Sequence, residues 1–441
     1  MKSDRQVPVA IVGGGFSGTM IAAQLTRRGI GSVLIDGSGR AGKGVAYSTT
    51  EPVHLLNVPA ESMSAWPDEP DHFARRFEVD GGDRRGYAPR RLFGRYLGEI
   101  LNEAIATGCT EKIGATAAKA TRHDGSWKVE LDDGVTIGAR ALVLAVGNQE
   151  PEPLSAFTGI GVRFVTDPWA STARAAAQQL AASGEAALLI GTGLTMVDLV
   201  LSLEAAGHRG KIVALSRRGR IPHSHAHYQP AAVEAHEVPS GDLRALFRWL
   251  RRRSDEVGWR AAVDSLRPHT QALWQCLDPE QQRRFLRHAR AWWDVRRSRI
   301  APEVASTIAR LVSEDRLEII AGRITSVRDT GDGLEVAVRR RGAATPGTIH
   351  CAYAFNCTGP LHAIDRTRDP LLRSLFDAGH IRPDHLNIGL DVDERSRAVG
   401  GEHIWALGPL TKGCYWEIIA VPDIREQAAA VADDIAREIE R

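Results

Sequence analysis

A short apolar run at residues 7–12 ends in three consecutive glycines, Gly13, Gly14 and Gly15, and Gly18 stands three positions beyond. The spacing Gly13-x-Gly15-x-x-Gly18 leaves such a chain few options. Gly13 permits a tight turn out of a strand, Gly15 lets backbone approach a pyrophosphate, and Gly18 lets the following helix lie against the strand it came from. A helix is predicted over 19–28 and a second strand over 31–36, which puts Asp36 at the strand end, where its carboxylate would accept hydrogen bonds from a ribose. A strand, turn, helix and acid in this order predict an adenine dinucleotide held by Gly13, Gly15, Phe16, Ser17, Gly18 and Asp36.

The same device recurs at "LLIGTGLTMVDLVLSL", residues 188–203. Gly191 and Gly193 repeat the turn, Leu194 and Thr195 open the helix, and Met196 occupies the place where a third small residue usually stands. The second strand of this copy ends in Ser216-Arg217-Arg218 with no acid. An acid would repel a ribose 2′-phosphate, whereas a hydroxyl and two guanidiniums would hold one, so NADPH is expected here rather than NADH. Two dinucleotide sites in one chain imply that one nucleotide delivers hydride and the other accepts it, with flavin as the acceptor. FAD is therefore expected at the first turn and NADPH at the second.

At 441 residues the chain exceeds one core, and a Pro-rich stretch near residue 150 marks a boundary. The expected fold class is α/β, with two Rossmann-like dinucleotide-binding domains. Residues 1–155 form the first part of the FAD domain, 156–360 an inserted NADPH domain with a helical insertion at about 241–312, and 361–441 the returning part of the FAD domain. The return ends in a strand near 403–410 and a terminal helix. A net charge of +2 gives no nucleic-acid footprint, and no apolar stretch is long enough to span a membrane. Five scattered cysteines without CxxC spacing and an N-terminus without a leader pattern predict a cytoplasmic protein with reduced thiols.

The missing redox cysteine pair argues against a disulfide reductase, and the late strand carries Gly408-Pro409 rather than the Gly-Asp of single-domain aromatic hydroxylases. Electrons must leave the flavin another way, and dioxygen is the simplest acceptor. The segments "GKGVAYSTTEPVHLLNVPAESMSAWPDEPDHFARRF", "GTGLTMVD", "WWDVRRSRIAPE", "FNCTGP" and "GCYWEIIAVPDIREQA" together resemble the bacterial FAD/NAD(P)-binding family that contains FAD-dependent urate hydroxylases and aspartate N-monooxygenases. That resemblance implies an NAD(P)H-consuming monooxygenase hydroxylating a small polar substrate with dioxygen. A flavin-dependent oxidoreductase without oxygenation, or a non-catalytic FAD/NADP-binding regulator, is the alternative.

By position, the resemblance places Asn57 beside the flavin and substrate. Ala46, Tyr47 and Gly147 become backbone contacts to FAD, and Gly408, Pro409 and Leu410 approach the flavin ring. In the Arg-rich stretch 281–303, Arg299 is expected to reach an anionic group of NADPH or substrate, guanidinium being suited to carboxylates. The alternating His223, His225 and His227 lack an acidic or Cys partner, so surface or nucleotide-loop histidines are expected and no metal. Glu417 stands before the last helix, either paired with Arg425 or close to the flavin.

Overall fold

The computed structural model describes residues 5–439 and contains two seven-stranded sheets. The first is built from β1 (Arg5–Val12), β2 (Ser32–Ile35), β3 (Thr110–Ile113), β4 (Ala117–His123), β5 (Ser126–Leu131), β6 (Thr136–Leu144) and a strand from far along the chain. The second holds β7 (Phe164–Val165), β8 (Ala187–Ile190), β9 (Ile212–Ser216), β10 (Leu317–Asp329), β11 (Leu334–Arg340), β12 (Gly347–Cys351) and β13 (Tyr353–Asn356). The returning strand β14 (Ile404–Ala406) pairs in parallel with β6, so the first sheet is discontinuous in sequence and the second lies between its parts.

The strand orders, β3-β2-β1-β6-β5-β4 and β12-β11-β10-β9-β8-β13-β7, place each glycine turn at the carboxyl end of a central parallel strand. β2, β8, residues 9–12 of β1 and residues 212–215 of β9 are buried, because core clusters pack on both faces of each sheet.

The two turns are built alike. Gly13 donates its N–H to Ile35 O at 2.9 Å, and Ala145 donates to Val12 O at 2.8 Å. In the second copy Gly191 donates to Leu215 O at 2.7 Å and Cys357 to Ile190 O at 2.8 Å. Gly13 has φ +102° and Gly191 φ +123°. A Cβ there would lie 2.3 Å from Ala145 O and 2.1 Å from Cys357 O respectively, so both positions demand glycine. The helices that follow, Phe16–Arg27 and Leu194–Ala205, start at Gly15 and Gly193 as N-caps. The first therefore begins three residues before the expected Thr19, because Phe16, Ser17 and Gly18 already form its first turn.

Other expectations shift in detail. The strand expected near 403–410 is short: Gly408–Thr411 folds into a 3₁₀ turn directly after β14. The helical stretch runs through several helices, from Leu243–Val257 to Pro302–Ser313, and contains one π-helical turn at Phe285–Ala289. Among the described residues no helix is long and apolar enough to cross a membrane.

The two sheets are locked by a contact that neither glycine motif announces. Arg90 donates to both oxygens of Asp198 at 2.7 and 3.0 Å, and Asp198 is 5 % exposed on the helix following the second turn. His54 Nε2 sits 2.9 Å from Ser202 Oγ on the same helix, and Arg90 Nε donates to Leu55 O at 3.0 Å. Removing one partner of a buried pair strands the other charge, which costs about 3–5 kcal/mol. Arg90→Met is thus expected to lower unfolding stability by about that amount in urea titrations, and adding Asp198→Leu to recover most of it.

Candidate dinucleotide sites

At the first turn the geometry fits a phosphate-bearing ligand. A Cβ on Gly15 would meet only Gly44 Cα, at 3.6 Å, whereas Gly18 packs so tightly that its Cβ would lie 1.8 Å from Gly13 O. Asp36, expected to face a ribose, also braces the turn: Oδ2 accepts from Gly14 N at 2.6 Å and Oδ1 from Ser38 N at 2.8 Å.

Gly44–Tyr47 forms a single helical turn pressed against Gly15, with Ala46 exposed and Tyr47 half-buried. Tyr47 meets Phe93 edge-on at 4.7 Å, and burial lifts its hydroxyl to about 12 against the opposing charge of Arg90. Ser17 lies beside Gly408, whose N–H donates to Gln427 Oε1 at 2.8 Å. The buried Phe16 and Leu410, the half-buried Pro409 and Gly147, at φ +71°, complete this end of the first sheet.

At the second turn no described atom lies within 4 Å of the position a Cβ would take on Gly193, leaving room for a pyrophosphate. Met196 in the third position is fully buried. The turn, with Thr192 and Gly193, opens into a cleft of ≈ 850 Å³ whose wall carries Ser216, Arg217, Arg218 and Arg220. Ser216 Oγ is 2.9 Å from Thr192 Oγ1 and accepts from Gly219 N at 3.0 Å. Arg217 is exposed, while Arg218 donates to Arg287 O at 2.9 Å and to His288 O at 3.2 Å in the π-helical turn. The same cleft is also lined by Arg287, Arg290, Arg323, Arg339, Arg340 and Arg341. Those on β10 and β11 were missed by sequence reasoning, although the run Arg339-Arg340-Arg341 stood as a basic cluster.

Asn57 and Arg299 are brought to one region by a segment with no motif. Residues 223–225 run beside Ile300, with His225 N donating to Ile300 O at 2.9 Å, so His225 is a neighbour of Arg299. Its ring Nε2 pairs with Asn57 O at 2.8 Å. Arg299 is 3 % exposed and donates through Nη2 to both oxygens of Asp264, which also accepts from the Tyr228 hydroxyl. Its Nε and Nη1 are buried and find no partner among the described residues. Burial, aided by the Arg299 charge and opposed by the Asn57 bond, drives the His225 pKa down to about 4. The Tyr87 ring lies 5.4 Å from His225, and burial raises its hydroxyl to about 12.

Of the three alternating histidines, His223 and His227 are exposed as expected, whereas His225 is half-buried because its ring packs toward Asn57 and Tyr87. Among the described residues no group of three or more His, Cys, Asp or Glu is placed to hold a metal ion. Glu417 does not pair with Arg425. It accepts from Arg297 Nε at 2.7 Å and Trp293 Nε1 at 2.6 Å, because the helical insertion reaches it first, while Arg425 donates to Ser64 O at 2.9 Å.

The fold and its two glycine turns define a two-sheet flavoprotein-type architecture, and known proteins share it. Residues 10–149 match the model of an FAD-NAD(P)-binding family. No curated protein sequence matches the chain. An ornithine hydroxylase from Pseudomonas aeruginosa superposes with a TM-score of 0.67 at 16 % identity, covering 98 % of this chain and 99 % of that one. L-lysine 6-monooxygenase from Pseudomonas syringae gives 0.67 at 17 % identity, with the same coverage of 98 % and 99 %. A bacillithiol disulfide reductase from Staphylococcus aureus gives 0.60 at 13 %, again over 98 % and 99 %, so the architecture serves more than one chemistry.

The His225 shift carries a pH dependence. The unfolded chain takes up a proton near 6.5 whereas the folded chain does so only near 4, so stability falls as pH drops through that window. His225→Gln is expected to flatten the fall between pH 6.5 and 4.5, measured as the urea midpoint at each pH.

Proposed function

We propose that this chain is an FAD-dependent, NADPH-consuming monooxygenase that hydroxylates a small anionic substrate, with N-hydroxylation of an amino acid favoured. The observations that carry the reading are two glycine turns, one followed by an acid and one by Ser216-Arg217-Arg218, and the His225 contact that sets Asn57 near the open donors of Arg299. The likeness of the whole chain in fold to ornithine and lysine hydroxylases supports it.

FAD fits the cradle at Gly13, Gly15 and Gly18, where Phe16 and Ser17 open the helix and Asp36 is placed for the ribose. NADPH fits the basic cleft, with Gly191, Gly193, Leu194 and Thr195 at the pyrophosphate and Ser216, Arg217 and Arg218 at the 2′-phosphate. When bound, the flavin supplies hydride acceptance and oxygen transfer, and the chain supplies position and a dry pocket. Asn57 borders the flavin edge and Arg299 takes the substrate's negative charge. The neutral His225 between them spaces the two without adding charge.

A reductase working through thiols is disfavoured. Cys351 and Cys357 are buried, and burial raises both thiols, Cys351 to about 12, which keeps them protonated. Unpaired cysteines support a reducing, cytoplasmic location.

Purified protein is expected to be yellow, to bleach with NADPH under nitrogen and to recolour in air. Amino acids and urate are the first compounds to screen for faster oxygen uptake with a hydroxylated product. Uptake that yields only peroxide with every substrate refutes oxygenation. Arg217→Ala is expected to raise the KM for NADPH about tenfold, worth about 1.4 kcal/mol, while leaving that for NADH unchanged.

A further inference from the structure

Between the nucleotide cleft and Arg299 runs an alternating stack of guanidiniums and indoles. Arg220, which lines the cleft, lies 3.0 Å from the Trp292 ring centroid, and Arg296 is 5.2 Å from the same ring. Arg296 is also 5.8 Å from Trp259, on which Arg260 sits at 4.4 Å and Arg299 at 6.0 Å. The charge of this stack is almost uncompensated. Among the described residues Arg220, Arg260 and Arg296 make no salt bridge, and Arg260 and Arg296 donate to backbone instead: Arg260 to Ser224 O at 3.0 Å and Arg296 to Trp292 O at 3.4 Å. Asp264, the acid at the far end, is taken up by Arg299 and Tyr228. The Nε atoms of Arg220, Arg260 and Arg299 are buried without a partner.

Buried donors left open cost stability, and like charges brought together cost more, unless an anion visits. The indole rings offset part of that cost, and the donors not taken up by Ser224 O and Trp292 O are left for an oxyanion. Burial first, and then the charges of Arg296, Arg218 and Arg341 at Arg220 and of Arg299 at Arg260, lower the pKa values of both guanidiniums.

We propose that Arg220, Arg296 and Arg260, stacked on Trp292 and Trp259, form a carboxylate-binding relay that leads an anionic substrate from the cleft to Arg299. This rests on the monooxygenase reading for the identity of the visitor, but the binding itself does not. The relay selects small molecules bearing one or more carboxylates and gives neutral analogues no hold.

The test uses the FAD-loaded protein at low ionic strength, titrated with succinate or with neutral succinamide and read by tryptophan emission. Succinate is expected to give a saturable change that weakens steeply with added salt and disappears in Trp259→Phe/Trp292→Phe, and succinamide to give none. Arg260→Gln/Arg296→Gln is expected to weaken succinate binding at least tenfold, and Arg260→Lys/Arg296→Lys to keep part of it. Relief of repulsion predicts that the glutamine variant melts no lower than the parent. Equal response to succinamide, or a lowered melting temperature with succinate binding intact, overturns the relay and assigns the stack a structural role. Displacement of succinate by equimolar NADP⁺ overturns it in favour of the nucleotide's own phosphates. Failure of NADPH to bleach the flavin, with succinate binding retained, would refute the monooxygenase reading and leave the relay standing.

Discussion

The contact on which both halves of this molecule depend is between a glycine Cα and the carbonyl at the end of the neighbouring strand. Gly13 against Ala145 O and Gly191 against Cys357 O leave no space for a side chain. Because the strands meet at that distance, β1 and β8 must end there, and the next helix begins three residues after each glycine. Free N–H groups at both helix starts then point out of the sheet ends, where a phosphate is the natural partner. Position, polarity and ligand class all follow from one steric demand made twice.

What the demand does not decide is how the two copies face each other. That falls to Arg90, His54 and Asp198, a buried polar seam between the loop before Asn57 and the helix after the second turn. Such pairs are costly to bury and are weak evidence for stability, yet they specify register well. Here the seam fixes the segment carrying Asn57 against the domain carrying Ser216 and Arg217. A hydrophobic face would have tolerated sliding, but a bidentate guanidinium–carboxylate contact has one geometry.

Much of this was legible in the sequence, for a physical reason. A glycine turn flanked by apolar strands and a helix is a local pattern, as is the change of strand ending from Asp36 to Ser216-Arg217-Arg218. What stayed hidden was contact between residues far apart in the chain. Nothing local tells that Arg323 and Arg341 line one cleft with Arg217, that Glu417 meets Arg297 and not Arg425, or that His225 pairs with Asn57. Asp36 was read for one oxygen-to-ribose role, and its second task, bracing Gly14, depends on a backbone amide that no side-chain pattern displays. The early start of the helix at Phe16 has a similar cause, since its cap is the glycine itself.

The π-helical turn at Phe285–Ala289 has one extra residue per turn compared with the helix around it, and two of its carbonyls accept the guanidinium of Arg218. The arginine proposed to read a nucleotide is thereby held by the helical stretch around Phe285–Ala289. On that proposal cofactor preference is shared by two segments, and exchanging the insertion with that of a relative would carry part of the preference along, even with every residue of the glycine turn left in place.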